Sequence, residues 1–324
     1  MCIRDRIKSH TLENQFLKIK TINIGASLYE VIDKRKKINL ILNLGNYKNY
    51  LKNKPYLGAT CGRYANRIKN AQFKIDKKTY RLSKNEGQNI LHGGHKGFDA
   101  KIWDIKTQSS NSITYEYLSP HLQEGFPGNI KVLCKYQINK NSFKIIFSAK
   151  TDQKSHVNLV NHAYWNLNKS KNSIFDHFLL INANSYLKND SLNIPTGEYK
   201  KVDKTPYDFK QFRHIGHQIE LNKKAFDENF VLNKRQKYAA CLWSPHSNIL
   251  LSIKTNQPGI QFYTGQHLRF KSSNKMLSPF QGLCLETQAF PNSPNNKNFP
   301  STLITSRKKY FHEVSFLITH QKII

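Results

Sequence analysis

Apolar and polar residues alternate with a period of two along much of this chain, and this pattern restricts its fold more than any other feature. The alternation runs through segments that are rich in β-branched and aromatic residues and bounded by Gly, Asn or Pro: residues 16–25, 72–82, 131–151, 248–265 and 313–319. Because successive side chains of a strand point to opposite faces, this period predicts strands with one buried face. No stretch shows sustained helical periodicity with capping residues. The sequence therefore predicts an all-β protein of antiparallel strands, either a large sandwich or several stacked sheets.

Two of these segments also predict hairpins. Residues 72–82 contain two short strands around a turn at residues 76–78, and residues 131–151 contain longer strands around a turn at residues 139–141. The 324 residues include no Ser-, Pro- or Gly-rich linker and no internal repeat, and the polar segment 292–301 reads as a surface loop. We therefore expect residues 1–324 to form a single domain.

The charge of the chain is strongly basic, with 51 Lys and Arg against 21 Asp and Glu, a formal net charge of +30. Such a charge raises the hypothesis of a polyanion-binding protein. The basic residues are, however, scattered in short groups such as 34–37 and 307–309, without a basic helix, zinc-finger spacing or RNA-binding aromatic signature. This distribution favours a solvated basic surface, and no nucleic-acid partner is expected.

The five cysteines, Cys2, Cys61, Cys134, Cys241 and Cys284, are far apart and include no C-x-x-C pair. An odd number without pairing motifs favours free thiols in a cytoplasmic protein over a disulfide framework or a zinc site. The first twenty residues lack an apolar signal core, although the opening "MCIRDR" reads as unconnected to the residues after it. No apolar run approaches the roughly 18 residues of a membrane span, so no membrane association is expected.

Polar residues also occur where a strand pattern predicts packing. Asn66 and Arg67 read equally well as a surface turn, and His92 precedes two glycines that permit a tight turn. Asp227, taken alone, is better explained as the cap of a turn. Gln261, within the strand "IQFY", is a predicted buried amide that needs hydrogen-bond partners.

Glu286 carries the strongest single signal, because it lies in "GLCLETQ", an otherwise apolar strand. A carboxylate is costly to bury unless it is paired or functional. Burial also raises the pKa of a carboxyl group, which suits a general base near neutral pH. His162 lies in "NHAYWNL", among aromatic and amide side chains; a packed structural histidine and a proton donor in a sugar pocket both explain it.

Several kinds of site find no support in the sequence. The histidines lack the H-x-x-x-H or H-E-x-x-H spacing of metal sites, and no G-x-S-x-G or phosphate-binding glycine loop is present. A glycosidase uses two carboxylates, whereas the best-placed candidates here are one carboxylate and histidines.

Six blocks together resemble those of the aldose 1-epimerase (galactose mutarotase) family, in the same order and at similar spacing, over about residues 57–300. They are "GRYANRI", "LHGGHKGFD", "NHAYWNL", "DENFVL", "PGIQFYTG" and "LETQAFPN…NFPS". One block is weak evidence, but six collinear blocks are strong. The resemblance implies a large antiparallel β-sandwich that interconverts the α and β anomers of free hexoses such as galactose and glucose, with no cofactor and no metal.

The resemblance also implies roles for seven residues. Glu286 matches the general base, His162 the general acid and His92 a second active-site histidine. The matches to sugar-binding positions are Asn66, Arg67, Asp227 and Gln261. The expected partner is a small-molecule sugar, and the expected assembly is a monomer or a weak homodimer.

Two alternatives on the same fold stay open at this point. One is a non-catalytic carbohydrate-binding module, against which the presence of both Glu286 and His162 counts. The other is a hexose-6-phosphate epimerase, for which the positive charge can be invoked, although that charge is not concentrated on the six blocks.

Overall fold

The structure is a computed structural model of the chain, and it describes residues 6–323. The strands in this range are numbered in chain order. The first ten are β1 Ser9–Glu13, β2 Leu17–Ile22, β3 Ser27–Asp33, β4 Ile38–Asn39, β5 Thr60–Cys61, β6 Arg67–Ile68, β7 Gln72–Ile75, β8 Lys78–Arg81, β9 Ile90–Leu91 and β10 Asp104–Gln108. The next ten are β11 Ser112–Ser119, β12 Ile130–Asn139, β13 Ser142–Thr151, β14 Ser155–His156, β15 Val160–Asn161, β16 Tyr164–Trp165, β17 Phe178–Ile181, β18 Ala183–Asn189, β19 Pro195–Lys201 and β20 Arg213–His214. The last nine are β21 Asp227–Leu232, β22 Ala240–Trp243, β23 Ile249–Thr255, β24 Gly259–Tyr263, β25 Phe270–Ser272, β26 Lys275–Leu277, β27 Leu283–Gln288, β28 Leu303–Ile304 and β29 Tyr310–His320.

Three sheets contain most of these strands. A nine-stranded sheet has the order β10-β11-β12-β13-β29-β23-β22-β17-β20, a six-stranded sheet the order β16-β27-β24-β21-β18-β19, and a four-stranded sheet the order β1-β2-β3-β4. Every strand pair in these sheets is antiparallel. The remaining paired strands form two-stranded ladders in the connections.

The main hydrophobic core lies between the nine-stranded and six-stranded sheets. Trp165 of β16 packs against Phe316 of β29, with ring centroids 5.1 Å apart, and Phe316 stacks on Phe143 of β13 at 4.7 Å. One polar contact also crosses this core, since Thr287 of β27 and His312 of β29 share a hydrogen bond of 2.9 Å. Two antiparallel sheets with a shared apolar interior form the predicted large β-sandwich, and the all-β prediction is confirmed.

Both predicted hairpins are present, with turns one residue shorter than expected. β12 and β13 pair from Ile130 with Thr151 to Asn139 with Ser142, so two residues form the turn. In β7–β8 the last pair is Ile75 with Lys78, so Lys78 belongs to a strand and not to the turn. Alternation in the sequence thus locates the strands well, but leaves the ladder ends uncertain by one residue.

Residues 248–265 form two strands of different sheets. β23 lies in the nine-stranded sheet and β24 in the six-stranded sheet. Pro258, just before β24, has no N–H group to donate to a ladder, so it suits the crossing between sheets. The repeated alternation is the same on both sides of the crossing, so it does not reveal the change of sheet.

One short segment is helical, which the sequence pattern did not indicate. The α-helix α1 spans Ile215–Asn222, with the side chain of His214 accepting a hydrogen bond from the backbone N–H of His217 at its N-terminus. Eight residues are only about two turns, too few to display a helical period. The short 3₁₀ helices are Tyr47–Lys52, Lys69–Ala71, Phe98–Ala100, Gln123–Gly125 and Ser293–Asn295. Within residues 6–323, the helices all fall short of the length and apolar character that crossing a membrane requires.

Candidate active site

A pocket lies on the face of the six-stranded sheet that points away from the main core, called here the pocket face. Along β27, Leu283 and Leu285 belong to the core and Thr287 contacts β29, whereas Glu286 lines the pocket. The alternation along β27 therefore directs the carboxylate of Glu286 away from the core and into the pocket. Connections that contain β6 and β9 cover the pocket face, and together they enclose a cavity of about 320 Å³.

All seven residues singled out in the sequence line this one cavity: Asn66, Arg67, His92, His162, Asp227, Gln261 and Glu286. They come from six separate parts of the chain. Sheet register explains part of the arrangement, because Gln261 of β24 pairs directly with Glu286 of β27. A volume of this size lies at the lower end of the range of roughly 300–1,000 Å³ that is typical of small-molecule sites.

Glu286 and His162 form a buried pair at the floor of the cavity. The Oε1 atom of Glu286 lies 3.6 Å from Nε2 of His162, and the two residues are only 3% and 5% exposed. The Oε2 atom of Glu286 is buried and has no hydrogen-bond partner among residues 6–323. A buried carboxylate oxygen without a partner is costly, so its presence points to a functional requirement.

Burial moves the two pKa values of this pair in opposite directions. It lowers the pKa of His162 to about 4. Burial, and then the nearby carboxylate of Asp227, raise the pKa of Glu286 well above its ordinary value, against the opposing charge of Arg67. Desolvation disfavours both charged forms, so a proton shared by the pair without sugar is favoured on the carboxyl group over the imidazole.

His92 lies beside the pair, with its ring centroid 5.1 Å from that of His162. Its Nδ1 accepts a hydrogen bond of 3.2 Å from the backbone N–H of Asn66, which leaves the proton of the neutral ring on Nε2. Burial, and then the neighbouring His162 and the charge of Arg67, lower the pKa of His92 well below its ordinary value. His92 is therefore a neutral hydrogen-bond donor at physiological pH.

The backbone around His92 explains the two glycines that follow it. His92 has a φ of 51°, and Gly93 and Gly94 have φ values of 91° and 102°. A Cβ atom on Gly93 would lie 2.0 Å from the carbonyl oxygen of Gly62, so only glycine fits there. This tight contact joins the "GRYANR" and "HGGHKG" segments and brings Asn66 next to His92.

Arg67 forms the charged wall of the pocket. Its guanidinium group donates two hydrogen bonds of 2.7 Å to the two carboxylate oxygens of Glu86, and its Nη1 lies 3.9 Å from Oδ2 of Asp227. Asp227 in turn accepts a hydrogen bond of 2.7 Å from the side-chain amide of Gln261. Burial raises the pKa of Asp227, while Arg67 and Gln261 act against that rise.

Sequence reasoning missed several residues that line or support the cavity. The missed residues are Lys54, Tyr56, Glu86, Tyr263 and His267, all in its lining. Glu86 lies in the polar loop segment "KNEGQN", where a carboxylate is unremarkable, so no local signal distinguishes it. The sequence marks Tyr164 only as a neighbour of His162; in the structure its ring lies 5.1 Å from the His162 ring.

Comparison with known proteins identifies the family of the chain. A family model described as aldose 1-epimerase matches residues 8–317. The chain belongs to the aldose 1-epimerase family. The matched range is wider than the segment over which the six sequence blocks extend, because it includes β2 and β3 at one end and most of β29 at the other.

Individual aldose 1-epimerase relatives cover between three quarters and nearly all of the chain. Galactose mutarotase of Sus scrofa is 35% identical over 323 residues, 97% of this chain and 94% of the relative. Aldose 1-epimerase of Haemophilus influenzae is 36% identical over 258 residues, 76% of both chains. A crystal structure of an aldose epimerase homologue from C. elegans superposes with a TM-score of 0.91 at 28% identity, covering 97% of this chain and all of that one.

Proposed function

We propose that this protein is an aldose 1-epimerase, an isomerase that interconverts the α and β anomers of free hexoses such as galactose and glucose. The observation that carries the proposal is the buried pair of Glu286 and His162, with its reacting atoms 3.6 Å apart, at the floor of a polar cavity. Membership of the aldose 1-epimerase family and the names of its relatives support the same reaction.

The reaction requires one base and one acid on the same sugar ring. Glu286 takes the proton of the C1 hydroxyl, the O1 electron pair forms the C1=O bond, and the bond from C1 to the ring oxygen breaks. The ring oxygen receives the proton from Nε2 of His162. After rotation about C1–C2 the carbonyl presents its other face, and the reverse transfers close the ring as the other anomer. Each positioned proton transfer contributes typically ~10²–10⁴ in rate.

The single proton of the buried pair fits this cycle. It resides on His162 when a ring opens and on Glu286 once the ring is open. When the proton is on Glu286, neither side chain is charged, and burial favours this neutral state. The pair therefore returns to its starting state when the ring closes, and no proton has to enter or leave the pocket. Neither a metal ion nor an organic cofactor has a step to perform in this scheme.

The other predicted residues have roles in binding the sugar. His92, held as a neutral donor by Asn66, is suited to a hydrogen bond with a sugar oxygen next to the pair. Arg67, Asp227 and Gln261 present charged and amide groups from one connected network, which suits the hydroxyl groups of a hexose. Tyr164 and Tyr263 supply aromatic surface for the ring.

Polarimetry of freshly dissolved sugars tests the proposal. The protein should accelerate the change in rotation of α-D-galactose or α-D-glucose, and the β anomers should approach the same final rotation from the other side. Methyl α-D-galactoside is the matched control, because its blocked C1 oxygen cannot lose a proton and its rotation should stay constant. An unchanged rate with free α-D-galactose, at protein concentrations where sugar binding is measurable, would identify a carbohydrate-binding module instead.

The same assay with α-D-glucose 6-phosphate addresses the second alternative. Two cationic side chains, Lys54 and Arg67, line the cavity together with three carboxyl groups, those of Glu86, Asp227 and Glu286, and Arg67 is already paired with Glu86 and Asp227. This balance favours a neutral sugar over a phosphorylated one. A rate enhancement for the phosphate much above that for glucose contradicts the assignment.

A reducing compartment, the cytoplasm, is part of the proposal. Cys61, Cys134, Cys241 and Cys284 are free and buried, and Cys2 lies outside the described residues. A thiol reagent added to denatured, unreduced protein should titrate all five thiols. Titration of only one thiol would indicate two disulfides and an exported protein.

A further inference from the structure

The floor of the pocket brings together three side chains whose ligand atoms are suited to a metal ion. Ligand atoms of His162, Cys284 and Glu286 all lie within 4.8 Å of one another, and all three residues are buried. Cys284 is two residues before Glu286 on the same face of β27, and its Sγ lies 3.5 Å from Nδ1 of His162. Because His162 is distant in the chain, this set has no sequence spacing by which it could be recognised.

Two further observations make this set more than a chance cluster. The Oε2 atom of Glu286 is a buried oxygen without a hydrogen-bond partner among the described residues, so it is available as a ligand. His162 and Glu286 also line the cavity, which leaves room for a fourth ligand such as water. Three protein ligands with one open position is the arrangement of many zinc sites that bind small molecules.

We propose that His162, Cys284 and Glu286 form an inhibitory site for a thiophilic divalent cation, Zn²⁺ or Cd²⁺, at the floor of the pocket. The bound ion occupies the atoms that must exchange protons with the sugar, so it blocks ring opening and competes with the sugar. The inhibition rests on the proposed epimerase function, whereas the binding itself does not.

Geometry supports the site after a small adjustment. Metal–ligand bonds of about 2.0–2.3 Å in a tetrahedral site place the ligand atoms roughly 3.3–3.7 Å apart. An imidazole coordinates one ion through one nitrogen. For coordination through Nδ1 the contact to Cys284 Sγ, at 3.5 Å, is already in this range, and for coordination through Nε2 the contact to Glu286 Oε1, at 3.6 Å, is as well. No two of the three ligand atoms are more than 4.8 Å apart. A shift of about 1 Å in one side chain therefore brings all three within bonding distance of one ion.

Charge balance also favours the complex. A divalent cation with the thiolate of Cys284, the carboxylate of Glu286 and the neutral ring of His162 has no net charge, so it avoids most of the cost of burying ions. Binding releases the thiol proton and, when Glu286 is protonated, the carboxyl proton as well.

The thiol also defines which ions bind. Soft sulfur ligands select Zn²⁺ and its heavier relatives, whereas Mg²⁺ and Ca²⁺ prefer sites made of oxygen atoms. Cd²⁺ is the better probe, because a cadmium–thiolate bond has an ultraviolet charge-transfer absorption. That absorption reports a thiol ligand and is silent for ions held by surface histidines and carboxylates.

The experiment titrates chelator-treated, full-length protein with Cd²⁺ and follows this absorption. The wild type should show the band with one equivalent of Cd²⁺, and an excess of D-galactose should suppress it. Cys284→Ser should weaken apparent binding by at least about 100-fold, since even the loss of an outer-shell partner costs 10–100-fold. Cys241→Ser is the matched control, a buried thiol on β22 of the other sheet, and should bind within about twofold of the wild type.

Three results would overturn the site: no band in the wild type, a band that survives in Cys284→Ser, or a band that galactose does not suppress. Competition by D-galactose is measured on the wild-type protein, so this test remains decisive even if Cys284→Ser folds poorly. Polarimetry of the same samples separates the two proposals. Mutarotation without cadmium binding rejects only the metal site, and cadmium binding without mutarotation in the metal-free protein rejects only the epimerase function.

Discussion

The strand pairs β12–β13 and β24–β27 are both antiparallel ladders of this protein, yet they differ in which of their residues are buried. In β12 buried residues alternate with more exposed ones, and residues such as Val132 and Cys134 enter the core while Lys131 faces solvent. In β27 all six residues are buried, including Glu286, Thr287 and Gln288. The same backbone pairing therefore supports an ordinary apolar ladder in one place and a polar interior in the other.

The difference arises from what covers each face. β12–β13 packs one face on the core and leaves the other to solvent, so a period of two separates apolar from polar residues. β27 has the core on one face and the connections around β6 and β9 on the other, so both of its faces are buried. The pocket face can then hold polar groups, but each of them loses water and must find a partner.

Gln261, Gln288 and Asn229 show how this requirement is met. The amide of Gln288 donates to Asn229 at 3.1 Å and to Gln261 at 3.4 Å, and Gln261 donates to Asp227 at 2.7 Å. Among the described residues, the Oε2 atom of Glu286 and the Oε1 atom of Gln288 are left out of these networks. The β12–β13 ladder therefore stabilises the fold, whereas we expect the pocket face of β27 to give up stability for reactivity.

The largest expected effect tests this contrast on the pocket side. Glu286→Gln should lower the rate of mutarotation by on the order of 10²–10⁴, because the amide keeps the shape of the side chain but cannot accept the C1 proton. Polarimetry measures the rate, and sugar binding should remain measurable. Glu313→Gln, a partly exposed carboxylate of β29 paired with Lys144, is the control and should keep the wild-type rate. Turnover of Glu286→Gln at the wild-type rate removes Glu286 from the mechanism.

The same variant sharpens the contrast when its stability is measured. The folded-state pKa of Glu286 is raised above the unfolded value, so its contribution to stability falls as pH rises from the unfolded pKa towards the folded one. Glutamine has no proton to lose, so Glu286→Gln should gain thermal stability over the wild type at pH 8 and less at pH 4. Each kcal/mol gained raises the melting temperature by roughly 2–4 °C. A lower melting temperature for the variant at pH 8 contradicts a stability cost at Glu286.

The next largest effect is a loss of stability in the β12–β13 hairpin. Phe143 is fully buried and stacks on Phe316, so Phe143→Ala should lower the free energy of unfolding by about 3–5 kcal/mol. Denaturant titration measures the loss, and the rate per folded molecule should remain that of the wild type. Lys144→Ala changes the neighbouring residue on the exposed face, where its ion pair with Glu313 contributes at most about 1 kcal/mol. A large loss of turnover in folded Phe143→Ala protein would show that the two regions are coupled.

The pH dependence of kcat/KM separates the two histidines of the pocket. Activity needs one proton on the Glu286–His162 pair. It should fall tenfold per pH unit below the pKa of His162, at about 4, where the pair gains a second proton. It should fall again above the raised pKa of Glu286, where the pair loses its only proton.

His162→Asn should remove the alkaline limb of this profile, because Glu286 then acts alone as a base and no proton on the pair is needed, whereas His92→Asn should retain both limbs at a lower rate. The reason is that His92 is a neutral donor and does not exchange the reacting proton. Loss of the alkaline limb in His92→Asn, with its persistence in His162→Asn, means that the two histidines have each other's roles.

The smallest effect concerns Glu86, which holds the guanidinium group of Arg67 through two hydrogen bonds. Glu86→Gln should raise KM by about 3- to 10-fold, or roughly 0.7–1.4 kcal/mol, with little change in kcat, because it loosens a binding group and not the acid–base pair. Polarimetry over a range of galactose concentrations gives both constants. Glu13→Gln, which removes an exposed carboxylate paired with Lys34, is the control. A fall in kcat without a change in KM places Glu86 in the chemistry.

Sequence reasoning identified part of the pocket because burial of a polar group is sometimes visible locally. Glu286 stands out in "GLCLETQ" since its neighbours are apolar, and the glycines after His92 mark an unusual backbone. Glu86 and Cys284 do not stand out, because a carboxylate in a polar loop and a cysteine in an apolar strand are both ordinary. The roles proposed for them depend on contacts with Arg67 and His162 that no local pattern contains.

The sequence by itself determined the strand-rich architecture, because alternation with a period of two is a local property that each segment carries without reference to the others. It also determined which residue types were available for acid–base chemistry. Only the tertiary structure decided that β23 and β24 lie in different sheets, that β27 is buried on both faces, and that Glu286 meets His162 at 3.6 Å. The physical reason is that separations between residues distant in the chain depend on the register and packing of whole sheets. Those same sheets exclude the water that would otherwise hold the pKa values of Glu286 and His162 near their ordinary values.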